Sequence, residues 1–139
     1  MPARLILALT VALTLAADVF AHHERFTTFL TGHAESPSNT SAGFGHVIVT
    51  LDLDLLTMQV EADFGGLEGN VTAAHIHAPT AEPGMGIADV ATQVPTFVDF
   101  PTGVTQGAYD KTFALAEAST YNPAFISSTG GIVSTAMNS

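Results

Sequence analysis

The sequence has 139 residues, no cysteine, and only three Lys or Arg against 13 Asp or Glu, for a net charge of −10. That length fits one domain, and its stability must come from an apolar core rather than from disulfides. So few cations leave almost nothing to neutralise phosphates, which excludes nucleic acid as a partner and makes an anionic membrane surface a poor one.

The N-terminus reads as an address. Arg4 precedes an apolar run at residues 5–17, and Val19-Phe20-Ala21 supplies short residues around a cut after Ala21. This is the order of a secretory signal peptide. The run falls short of the ~20 residues a spanning helix needs. Asp18, close to the cut, is its one unusual feature. The expected product is a single domain over residues 22–139, secreted to the periplasm or the cell exterior. It would keep Arg25 and Lys111 as its only Arg and Lys and have no membrane span.

The rest of the chain reads as short strands between turns rich in Gly, Pro, Ser and Thr. Residues 25–31 form the first expected strand, with Phe26 and Leu30 on one face and Phe29 on the other. A polar loop leads to a second strand at 44–51, where His46, Ile48 and Thr50 lie opposite Val47, Val49 and Leu51. Residues 52–54 make a turn. The clearest element is 56–64, where Leu56, Met58, Val60, Ala62 and Phe64 alternate with Thr57, Gln59, Glu61 and Asp63. Such alternation marks a half-buried antiparallel strand. Further strands are expected at 71–77, 87–91, 97–100 and 109–115. A helical turn is expected at 116–121, with Pro123 stopping anything longer. Six to eight short strands and no long helical period predict an all-β fold, an antiparallel β-sandwich or small barrel.

Among residues that could carry chemistry, His75-Ile76-His77 stands out. On a strand, positions i and i+2 face one way, about 6–7 Å apart along the chain. Both imidazoles could therefore reach one copper or zinc ion. A zinc site needs at least three protein ligands, and His46 is the first candidate for the third. His33, Glu35 and a new His22-His23 terminus stand in reserve, the terminus as a copper chelate of its own. The alternative is that His75 and His77 are hydrogen-bonded strand residues with no metal. Asn39-Thr40-Ser41 and Asn70-Val71-Thr72 match the glycosylation sequon, which chance also produces in such turns. No nucleophile elbow, phosphate-binding glycine loop or zinc-protease helix is present. Asp52 and Asp54 sit at a turn, where solvated acids are common. No catalytic residue and no enzymatic activity are expected.

Longer stretches carry a resemblance. Residues 26–37, Phe-Thr-Thr-Phe-Leu-Thr-Gly-His-Ala-Glu-Ser-Pro, are followed by Gly43, the alternating strand, Gly66-Leu67 and Val71-Thr72-Ala73-Ala74-His75-Ile76-His77-Ala78-Pro79. Together they resemble the CHRD domain, a module named for chordin and found in many exported bacterial proteins. Residues 109–115 and 119–125 are similar to bacterial members too. The resemblance implies an extracellular, β-rich, immunoglobulin-like or barrel-like fold and leaves the activity open. With the acidity and the absence of a catalytic motif it fits a binding or surface-structural domain for a protein or surface ligand. The alternative, resting on the His75-x-His77 pair, is a copper- or zinc-binding protein with a superoxide-dismutase-like, redox-active site. Two departures stand out. Glu35-Ser36-Pro37-Ser38 replaces a usual Glu-x-Pro-Pro, and nothing after Gly131 matches the family's closing Asn-x-His-Thr strand or its Gly-Gly-Glu-x-Arg-Gly ending. The domain is thus expected to lack its C-terminal strands, and with them a histidine that would be the natural partner of His75 and His77. A sheet edge left unpaired in this way is a route to self-association.

Overall fold

The computed structural model describes residues 22–35, 37–82 and 85–131. The expected leader lies outside them. The fold is all-β, built on one antiparallel four-stranded sheet and consistent with a sandwich or small barrel. Its strands are β1 (His23–Thr31), β2 (Phe44–Asp52), β3 (Thr57–Gly65) and β4 (Gly107–Ala114), in spatial order β1-β2-β3-β4. All three ladders run without interruption, pairing for example Phe26 with Val49, Val49 with Val60 and Val60 with Lys111.

The period-2 pattern decides which face is covered. Met58, Val60 and Ala62 of β3 and Tyr109 and Phe113 of β4 share the inner face and are all buried, Val60 to 2% exposure. Val47, Val49 and Leu51 of β2 extend that face and are half-buried. The covering layer is not a second regular sheet. It consists of the long connection at residues 66–106 and the segment after β4, which bring Phe97, Leu115, Tyr121 and Phe125 onto the core. Phe97 lies between Tyr109 and Phe113, with ring centroids 6.1 and 5.2 Å away. Tyr121 donates its hydroxyl to the Leu115 carbonyl at 2.8 Å, so its burial leaves no orphaned polar atom. β1 receives no cover, and all nine of its residues are exposed.

Glycine makes one close approach possible. Gly107 pairs with Phe64 across the β3–β4 ladder. A Cβ there would stand 2.9 Å from the Phe64 ring and 3.1 Å from Pro101. Without it, the Phe64 ring stacks on Phe100 at 5.6 Å.

Two sequence expectations need correction. The strands expected at 71–77 and 87–91 are extended pieces joined by one isolated bridge, His77 to Val90. The strand expected at 97–100 is a turn, closed by the Phe100 N–H on the Phe97 carbonyl at 3.2 Å and tied to the first piece by the Phe97 N–H on the Ala74 carbonyl. The N–H groups of Ala74 and Ile76 donate to the hydroxyls of Thr96 and Thr92, at 2.9 and 2.8 Å, where a ladder would have used carbonyls. Pro123 does not end a helix but begins one, α1 (Pro123–Ser128). Its missing N–H is unneeded in the first turn, and the Asn122 side chain caps the helix by accepting from Ala124 at 3.0 Å. The helical turn expected before it is the 3-10 turn Ala118–Thr120.

The β2–β3 turn carries an acid-sensitive cluster. Asp52 accepts the N–H groups of Leu55 and Asp54 at 2.8 and 3.0 Å. Its other oxygen lies 2.8 Å from His23 Nε2. The Leu55 N–H first, then the His23 ring, hold its carboxyl below the usual 3.8. A carboxyl lowered on folding contributes stability that is complete above 3.8 and lost as pH falls through its folded value. Thermal melts are therefore expected to show a midpoint that drops in this acid window. In Asp52→Asn the drop should be smaller, and an unchanged acid slope would remove the turn as its source.

Candidate functional site

The His75–His77 pair sits on the extended segment that crosses the covering layer. Ala74, Ile76 and Ala78 pack on the core, so the alternate positions 75 and 77 turn away from it. The two rings meet edge to face with centroids 5.0 Å apart. The expectation that both face one way therefore holds. His77 Nδ1 lies 2.7 Å from the Ala88 carbonyl. A carbonyl only accepts, so the Nδ1 proton is placed there, and in the neutral ring Nε2 keeps its lone pair. This is the outer hydrogen bond that orients histidine ligands in metal sites.

His46 is held elsewhere. It lies on the outer face of β2, with its ring 5.1 Å from that of Phe29 and its Nε2 hydrogen-bonded to Thr27 Oγ1 at 2.8 Å. His22 and His23 approach Asp54 and Asp52, at 3.2 and 2.8 Å, at the far end of the β1–β2 ladder. Among the described residues no three His, Asp or Glu side chains are gathered as a metal site. His75 and His77 are thus brought together, and His46 does not join them.

A second feature is one the sequence reading does not anticipate. At the end of the sheet Phe29, Leu30, Phe44, Gly45, His46, Asp63, Phe64 and Gly107 line an open depression of about 450 Å³. Phe29 is 74% exposed and Phe44 65%. Large apolar side chains gathered in the open mark interaction sites more often than scattered ones do. A signal is present: Phe29 and Phe44 fall on the polar side of the alternation in their strands. Another open cleft, about 370 Å³, runs between Gln93, Thr96, Val98, Ser119, Tyr121 and Pro123. It brings no titratable cluster together.

What this defines is a β-domain with an exposed sheet end and a surface histidine pair. The family model of the CHRD domain matches residues 26–132, and the chain belongs to that family. No curated protein and no solved structure matches it. Among the described residues no helix is long and apolar enough to cross a membrane.

Proposed function

We propose that this chain is an exported, non-enzymatic binding domain of the CHRD type, which holds an apolar group of a protein or surface ligand at the Phe29–Phe44 end of its sheet. The observation that carries this is the exposure of those two rings around the depression. Family membership supports a non-enzymatic role. The leader pattern at residues 1–21 supports export, and protein recovered after secretion is expected to begin at His22.

The probe for the apolar site is the dye 1-anilinonaphthalene-8-sulfonate. The native chain should bind it saturably, and Phe44→Ser should weaken binding about tenfold, which is about 1.4 kcal/mol. Unchanged binding by a variant with native circular dichroism would refute the site. Phe44 is the better target because it has open space to lose and packs on little that the core needs.

One observation favours a second reading, copper or zinc binding at the histidine pair. His77 is oriented by Ala88 and lies beside His75, so two nitrogen donors can share an ion whose remaining positions water would fill. Elemental analysis after incubation with copper or zinc should then give near one ion per chain, abolished in His75→Ala/His77→Ala. Metal retained by the double variant would move the site elsewhere, and none in the native chain would leave the histidines structural.

A further inference from the structure

Strand β1 ends the sheet, and among the described residues nothing pairs with its outer edge. Natural sheets blunt such edges with proline, bulges, short strands or charged side chains, lysine above all. Of these β1 has only charge, one of each sign at Glu24 and Arg25. It is nine residues long, its register with β2 is unbroken, and it contains no Pro and no Lys. The opposite edge, β4, differs: Lys111 points inward there and is tied to Asp99.

The ladder shows which groups the open edge presents. The Leu53 N–H donates to the His22 carbonyl at 3.0 Å, which makes His22–Leu53 a hydrogen-bonded pair. Bonded and non-bonded pairs alternate in an antiparallel ladder. Even-numbered residues of β1 therefore bond to β2, and His23, Arg25, Thr27, Phe29 and Thr31 turn their N–H and C=O groups outward.

From this we infer that β1 pairs antiparallel with β1 of a second copy of this chain, about a two-fold axis at Thr27, to form one eight-stranded sheet. The register follows from charge and overlap. Centring on Thr27 uses all nine residues and sets Thr27 against Thr27 of the partner. It sets Arg25, which has no ion-pair partner among the described residues, over the exposed ring of the partner's Phe29, a favourable cation–π arrangement. On the inner face it brings Phe26 diagonal to both Phe26 and Leu30 of the partner, within reach for side chains of that size. The Glu24 carboxylates stay far apart. Centring on Arg25 would oppose two guanidinium groups, and centring on Phe29 would overlap only residues 27–31.

Because the chain has no cysteine, a single introduced one reports the register. In the proposed dimer the two Cα atoms at position 27 would lie about 5.5 Å apart, within disulfide range. Two copies of residue 25 would be four positions apart, about 13 Å. Mild oxidation of Thr27→Cys should give a covalent dimer, and Arg25→Cys should not. In parallel, sedimentation equilibrium should show the native chain as a dimer. Thr27→Pro, which removes an outward N–H that β2 does not use, should be a folded monomer by circular dichroism. A native chain that stays monomeric overturns the inference, as does cross-linking through Arg25→Cys in preference to Thr27→Cys. Phe29 belongs to both, since the dimer sets the partner's Arg25 over the ring that lines the ligand site. The dimer is read from cross-linking and sedimentation and the ligand site from Phe44, which lies on β2 outside the β1 pairing, so the failure of one is told from the failure of the other.

Discussion

Replacing Phe97 with alanine is expected to cost about 3–5 kcal/mol, the range for emptying a buried aromatic site. Phe97 belongs to no strand or helix, yet it is 3% exposed and lies between Tyr109 and Phe113 of β4. Its N–H donates to the Ala74 carbonyl at 2.9 Å, tying the connection to the segment that bears the histidines. Against a typical total of about 5–15 kcal/mol, that loss removes much of the stability. In urea the midpoint should fall while the slope is kept, since the surface exposed on unfolding is nearly unchanged. A loss under about 1 kcal/mol, far below the range for a buried aromatic, would mean that the covering layer is not part of the cooperative core.

Thr92→Val should cost about 1–3 kcal/mol with almost no change in volume. Thr92 is 5% exposed, and its hydroxyl accepts the Ile76 N–H at 2.8 Å and faces the Ile76 carbonyl at 3.4 Å. Valine fills the same space but leaves that N–H buried without an acceptor, whereas Thr92→Ser keeps the hydroxyl and should retain most of the stability. Amide exchange gives the local reading. Protection at Ile76 should collapse in Thr92→Val while Val49 and Val60 in the sheet keep theirs. Equal protection in both proteins would show that the N–H does not depend on this hydroxyl.

Alternation makes the sheet legible. In β3 the apolar residues fall at every second position, in β2 Val47, Val49 and Leu51 do so with Phe44 and Ile48 on the other face, and the observed strands differ from the expected ones by no more than two residues at either end. The inner-face assignments of Val47, Val49, Met58, Val60 and Ala62 follow from the same pattern. The connection at residues 66–106 is harder to read, because threonine hydroxyls there replace backbone carbonyls and strand propensity has no view of such pairing. Pro123 reads as a stop because its ring breaks a helix interior, but one residue after the capping Asn122 the same ring suits a first turn. His75 and His77 are visible as a pair from their spacing. The separation of His46 is not, because it depends on which face of β2 meets the covering layer.

Lys111 is the only lysine of the sequence, and Arg4 and Arg25 are its only arginines. Trypsin thus has two sites within the described residues, and they lie in opposite surroundings. The bond after Arg25 is on β1, which is a bare edge strand in a single copy of the chain. The bond after Lys111 is in the middle of β4, where the side chain is half-buried and paired with Asp99. Cleavage there requires β4 to leave the sheet, whereas cleavage after Arg25 requires only fraying of β1. The ratio of the two fragment sets in a brief digest would therefore separate edge fraying from global unfolding in the unlabelled, unmodified chain.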